Sequence, residues 1–326
     1  MARSYTTILG VVLVACVMGP IALAADKVRA PAGWPSEVKT VSYPSPAAGT
    51  PQRTLFYDPG GPQPVPLLVA LHTWSSNYQQ NEEPYATWCI AKRWVMVHPD
   101  FRGPNRRPEA CGSELAVKDI VGAVDHACRV APIDRTRIYL MGASGGGYAS
   151  LLMAGRAPEI WAGVSAYVPI FDLAAWYHES VARKSGYAKD AVACCGGAPG
   201  SSRKADREFK RRSAKTWLAR AKNVSLDINA GIADGHTGSV PISHSLRAFN
   251  LLAAPKDRLT DAEIDYFVRR QAVPRHLRQP IEDATYGDHP PLFRRASRKV
   301  RVTIFQGGHD ELFEAGLSWL EQQRKS

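Results

Sequence analysis

Short apolar runs recur along the chain at 38–43, 54–57, 66–72, 94–98, 137–142, 163–168, 226–230 and 300–305. Runs of this length, rich in Val, Ile, Leu and aromatic residues, predict strands buried on both faces. From residue 66 onward they alternate with segments of helical periodicity, such as 115–129 and 243–252. Thr260-Asp261-Ala262-Glu263 has the spacing of a capping box and predicts a helix through about Gln271. Leu312, Ala315, Leu317, Trp319 and Leu320 predict a last helix at the C-terminal end. The alternation predicts an α/β chain, with a mostly parallel eight-stranded sheet covered by helices on both faces. No fixed-period repeat or low-complexity linker divides it, so residues 25–326 are expected to form one domain. Two stretches near 172–212 and 253–298 break the pattern and are expected to be loop or lid insertions.

The run Arg137-Ile138-Tyr139-Leu140-Met141 leads directly into Gly142-Ala143-Ser144-Gly145-Gly146, a G-x-S-x-G pattern. The apolar residues Tyr148, Ala149, Leu151, Leu152, Met153 and Ala154 follow. Strand, sharp turn and helix form the context of a nucleophile elbow, which lifts a serine Oγ clear of the sheet. The alternative, a glycine-rich phosphate turn, finds no G-x-x-x-x-G-K-[ST] or G-x-G-x-x-G in the chain.

A serine hydroxyl needs a histidine to take its proton and a carboxylate to orient that histidine. In an α/β-hydrolase fold the chain order is serine, acid, histidine, each at a strand end. That order excludes His72, His98 and His126. It favours Asp234, just beyond the 226–230 strand, over Asp227 inside it. The last strand runs into Gln306-Gly307-Gly308-His309, which makes His309 the expected base; His236, His244, His276 and His289 end no strand. Oxyanion donors are expected from the N–H of Gly145 and from the loop after the 66–72 strand, with Trp74 first and Thr73 next. Phe171, Trp176 and Tyr177 open the first irregular stretch. Trp176 and Tyr177 are expected to offer flat apolar surface to a substrate, or else to pack under their own loop. No metal or organic cofactor is implied.

Met1 to Ala24 has a positive start, an apolar stretch and Ala22-Leu23-Ala24 at its end, the pattern of a signal peptide cleaved after Ala24. A secreted or periplasmic protein is expected. Leu13-Val14-Ala15-Cys16 also fits a lipoprotein site, and membrane attachment is expected only if Cys16 is lipidated. The formal charge of +11 is spread along the chain without an aromatic-basic motif, so nucleic acid is not an expected partner. Beyond the leader lie Cys89, Cys111, Cys128, Cys194 and Cys195. No C-x-x-C pair exists; a bridge from Cys111 to Cys194 or Cys195 would tie two long loops together.

With these residues in place, the chain from about Pro66 to its end resembles the catalytic domain of the prolyl oligopeptidase family. Ile133-Asp134-Arg135-Thr136-Arg137-Ile138-Tyr139 leading into Gly142-Ala143-Ser144-Gly145-Gly146-Gly147-Tyr148 resembles the family's D-x-x-R-I-x-x-x-G-x-S-x-G-G-Y. Gly112-Ser113-Glu114 with Asp119 resembles the stretch before it. Gly231-Ile232-Ala233-Asp234 with Val240-Pro241 and Ser245 resembles the acid-bearing G-x-x-D-x-x-V-P region, and Gly308-His309 resembles the family's G-H. The resemblance implies an α/β-hydrolase fold and the triad Ser144, Asp234 and His309. Three departures bear on function. No N-terminal propeller like that of the family's peptidases is expected in this chain. Gly235-His236-Thr237-Gly238-Ser239 stands where the family usually has two residues, and His72-Thr73-Trp74 replaces a Gly-rich motif. They shift the expectation to a secreted serine hydrolase cleaving carboxylic esters, small or polysaccharide-borne, through an acyl-enzyme. A secreted serine peptidase or aminopeptidase, and a non-catalytic binding protein on the same scaffold, are the alternatives.

Overall fold

The computed structural model describes Met1 and residues 28–47 and 49–325. The expected cleavage site at Ala24 and the alternative site at Cys16 lie outside the described residues. One sheet carries β1 (Val28–Arg29), β2 (Lys39–Pro44), β3 (Pro51–Tyr57), β4 (Val65–Leu71), β5 (Val95–Pro99), β6 (Ile133–Ala143), β7 (Gly163–Tyr167), β8 (Ser225–Gly231), β9 (Pro291–Ser297) and β10 (Val300–Phe305). Their order is β1-β2-β3-β5-β4-β6-β7-β8-β10-β9. The centre, β5-β4-β6-β7-β8-β10, is parallel. Antiparallel pairs finish both edges.

The sheet is therefore mixed and ten-stranded rather than eight-stranded. Two strands escaped the hydrophobic pattern for physical reasons. β1 is two residues long and exposed, too short to show a period. β9 reads Pro-Leu-Phe-Arg-Arg-Ala-Ser and lies at an edge, where proline and charge are tolerated because one side makes no ladder bonds. Every residue of β5, β7 and β8 is buried, so both faces of the sheet centre are covered.

The helices are α1 (Glu83–Lys92), α2 (Glu114–Val130), α3 (Gly145–Arg156), α4 (Leu173–Ala182), α5 (Tyr187–Cys195), α6 (Arg203–Arg212), α7 (Ser243–Leu252), α8 (Asp261–Arg270) and α9 (Phe313–Glu321). The stretch 172–212, expected to be irregular, folds mainly into α4, α5 and α6. Local signals explain three of these boundaries. The Asp172 carboxylate caps α4, accepting from Ala174 N at 3.1 Å and Ala175 N at 3.3 Å. Gly196, at φ 75°, ends α5, and the Ser202 hydroxyl caps α6. The expected capping box of Thr260 and Glu263 opens α8.

This helical insertion is tied to the loop before α2. Arg212, 3% exposed, donates to the carbonyls of Pro108, Ala110 and Cys111 at 2.9, 2.7 and 3.1 Å and pairs with Glu208 at 2.9 Å. The five described cysteines are free thiols, so the expected bridge from Cys111 to Cys194 or Cys195 is not formed. Cys111 Sγ instead lies 3.9 Å from Tyr148 Oη.

Candidate active site

The C-terminal end of β6 and the start of α3 meet at Ser144, whose backbone stands at φ 56° and ψ −114°. A non-glycine residue held there is strained. Two neighbours hold it in place: Ser144 N donates to Tyr167 O at 3.0 Å, and Ser144 O accepts from Tyr148 N at 2.8 Å. Gly145 begins α3, so its N–H has no acceptor inside the helix. A methyl added to Gly145 would lie 2.2 Å from Trp74 N, which places the two amides side by side. Gln80 Oε1 accepts from both Thr73 N and Thr73 Oγ1 at 2.9 Å, so the Thr73 amide is already used. The Trp74 amide donates to no acceptor among the described residues. Of the two residues weighed for this loop, Trp74 has the free donor. The positive end of the α3 dipole adds to it.

Asp234 follows β8 and His309 follows β10, two adjacent parallel strands. Nδ1 of His309 lies 2.9 Å from each carboxylate oxygen of Asp234. Asp234 is 2% exposed; its Oδ1 also accepts from Gly235 N at 2.8 Å and Val240 N at 3.3 Å. Burial raises its pKa above the ordinary value, and the bond to His309 works in the opposite direction. Asp227, the acid set aside on sequence grounds, is fully buried in β8 and bound to Arg301 Nε at 2.7 Å, Asn229 Nδ2 at 2.7 Å and Ser165 Oγ at 3.2 Å. It belongs to the core. The competing histidines weighed for the base are engaged elsewhere: His236 with Val268 O, His276 with Glu263, His289 with Gln306 O. His244 accepts from Phe171 N and bonds Glu179.

The structure thus joins His309 to Asp234 and Gly145 to Trp74. Among the described residues no hydrogen bond joins Ser144 Oγ to His309 Nε2; that nitrogen lies 3.3 Å from Ser239 Oγ. Trp176 departs from expectation. It is 1% exposed, lies 4.7 Å from Trp74 and 5.2 Å from Tyr187 between ring centroids, and donates from Nε1 to Ser239 O at 2.9 Å. Its ring braces the site from below and offers no open face. Tyr177 is half-buried and meets Phe209 edge-on at 5.9 Å, so it packs within the insertion. Sequence reasoning missed Gly238 and Arg183. A methyl on Gly238 would stand 2.2 Å from Asp234 Oδ1 and 2.5 Å from His309 Cβ. Arg183 donates to Gly235 O at 2.9 Å and Ser239 O at 2.8 Å, binding the acid loop to α4. No short-range pattern marks either residue, because Arg183 reaches the 235–239 loop from another element and Gly238 is confined by His309 as well as by nearby Asp234. Among the described residues no cluster of His, Cys, Asp and Glu has the make-up of a metal site.

A parallel sheet, a strained serine between strand and helix, and a histidine held by a buried acid on neighbouring strands define an α/β-hydrolase. Residues 113–268, just under half of the chain, match the prolyl oligopeptidase family model. No curated protein matches the sequence. Solved structures share the fold at low identity. The acylaminoacyl peptidase of Pyrococcus horikoshii is 16% identical at a TM-score of 0.53, over 66% of this chain and 34% of its own. A puromycin-hydrolysing peptidase of Mycobacterium tuberculosis is 16% identical at a TM-score of 0.54, over 72% and 38%. A thermostable esterase is 15% identical at a TM-score of 0.51, over 89% and 64%. The chain thus aligns with about a third of the length of the peptidases.

Proposed function

We propose that the protein hydrolyses carboxylic esters through an acyl-enzyme formed on Ser144. Ser144 Oγ attacks the ester carbonyl, and His309 Nε2 takes its proton and later returns one to the leaving alcohol. Asp234 holds the imidazole with its proton on Nδ1. The N–H groups of Gly145 and Trp74 receive the oxyanion. The observation that carries this reading is the Asp234–His309 pair, with 2.9 Å contacts, on the strands beyond a strained Ser144 that has two adjacent free amides. Ester rather than peptide hydrolysis is favoured by the departures of this sequence from the family's peptidases, His72-Thr73-Trp74 in place of a Gly-rich motif and the longer segment 235–239. The peptidase likenesses support a second reading, cleavage of short peptides or acyl-peptides. The leader-like sequence at 1–24 supports export as part of this reading, which would bring a polysaccharide-borne ester within reach. A panel of acetyl and feruloyl sugars, simple acyl esters and peptide amides on purified protein tests the choice. Ester turnover well above amide turnover is expected; the reverse order would make the protein a peptidase.

A further inference from the structure

We infer that Ser239 is a positioning residue that holds Nε2 of His309 in the unliganded enzyme, so that acylation begins when this nitrogen passes from Ser239 to Ser144. The inference rests on reading Ser144, His309 and Asp234 as the catalytic set. Nδ1 of His309 faces both carboxylate oxygens of Asp234, so Nδ1 carries the proton and Nε2 of the neutral ring has a lone pair. A hydroxyl against that lone pair must donate, and Ser239 Oγ is placed to do so at 3.3 Å. It is the same lone pair that must receive the proton of Ser144.

The position of Ser239 is fixed from the opposite side. Its carbonyl accepts from Trp176 Nε1 at 2.9 Å and from Arg183 Nη2 at 2.8 Å, and Arg183 Nη1 reaches Gly235 O at 2.9 Å. Gly235 N and Val240 N, at the two ends of the same loop, donate to Asp234 Oδ1. Gly238 lies against the acid and the imidazole with no space for a side chain. Residues 235–239, the segment longer than the family pattern, are therefore seated on the Asp–His pair, with the Ser239 hydroxyl over its reactive edge. Ser239 is not a second nucleophile, since the strained backbone and the paired free amides both belong to Ser144.

The step balances without a further reactant. Ser144 Oγ bonds the carbonyl carbon, its proton moves to Nε2, and the carbonyl electron pair moves onto the oxygen held by Gly145 and Trp74. Ser239 keeps its own proton, turns, and accepts from the imidazolium Nε2–H.

The test is the rate of covalent labelling by a fluorophosphonate, with the labelled residue located by peptide mass, for the wild type and for Ser239→Ala, Ser239→Thr and Ser144→Ala. Removing one competing hydrogen bond is expected to raise the labelling rate of Ser144 about two- to ten-fold in Ser239→Ala. The Thr variant restores the hydroxyl and is expected to return the rate to that of the wild type. The kcat/KM for a p-nitrophenyl acyl ester should follow the same pattern. Ser239→Gly replaces the Ala variant if the latter does not fold. Labelling of a folded hydroxyl-free variant at or below the wild-type rate, or label found on Ser239, overturns the inference. Failure of the wild type to label at Ser144 is a different result and removes the catalytic reading itself.

Discussion

At the scale of single residues, the site depends on close contacts that leave little room for error. Ser144→Ala removes the only hydroxyl on the strained elbow. It is expected to cost several orders of magnitude in kcat while leaving the melting curve unchanged. The two acids next to the sheet centre should separate cleanly. Asp234→Asn favours the wrong histidine tautomer and should lose about 10⁴-fold in kcat in a folded protein. Asp227→Asn instead disturbs a buried ion pair with Arg301, and breaking such a pair typically costs about 3–5 kcal/mol. It should melt earlier and keep its activity while folded. Thermal melts beside steady-state rates on the two variants check this, and a larger activity loss in Asp227→Asn would reverse the assignment. Gly238→Ala places a methyl against Asp234 and His309. A displacement near 1 Å at reacting groups costs on the order of 10²-fold, so kcat should fall by about that factor with little change in the melting temperature.

At the scale of elements, the helical insertion acts as a support for the acid loop. Trp176 begins that support from within α4, edge-on to Trp74 and stacked on Tyr187, with its indole N–H on Ser239 O. Removing a buried tryptophan typically costs about 3–5 kcal/mol. Trp176→Ala is therefore expected to lower the melting temperature strongly, and calorimetry is the direct measurement. A several-fold rise in KM with an unchanged melting temperature would instead mark the ring as a substrate contact. Trp176→Phe separates packing from hydrogen bonding, since it keeps a ring in place and releases only the Ser239 carbonyl.

At the scale of the whole molecule, a carboxylate stands beside each of the two loops that carry the site, Glu82 near Thr73 and Glu311 near His309. Gln80, which holds Thr73 beside the oxyanion donors, donates from its amide to Glu82. Tyr85 donates to Glu311, two residues beyond His309. Glu82 is 5% exposed, and burial pushes its carboxyl up to about 7, opposed in part by the Gln80 amide. Burial, then the charge of Glu82, holds Glu311 well above the usual carboxylate range. Between the unfolded value near 4.5 and the folded value near 7, the native chain keeps a proton that the unfolded chain has released. Its stability is therefore greatest below that window and falls as pH rises through it. The melting temperature is expected to drop between pH 5 and pH 8, and Glu82→Gln should flatten much of that drop. An equal drop in the variant would place its cause elsewhere.

The sequence by itself determined the parallel centre of the sheet, the elbow at Ser144 and the order of serine, acid and histidine. Each rests on a signal carried by neighbouring residues: buried strands read as continuous apolar runs, the turn needs its small residues, and the helix caps lie within four positions of what they cap. The edge strands β1 and β9 were not legible. One is too short for a period, and the other, on the sheet edge, carries arginines and a proline that its exposed ladder tolerates. Only the tertiary structure decided that 172–212 is helical, that Trp176 is a brace, and that Trp74 rather than Thr73 has the free amide. It alone brought Ser239 to His309, 70 positions away in the chain. These outcomes depend on which groups meet after the helices pack on the sheet, and a hydrogen bond between loops so distant leaves no period or spacing in the sequence.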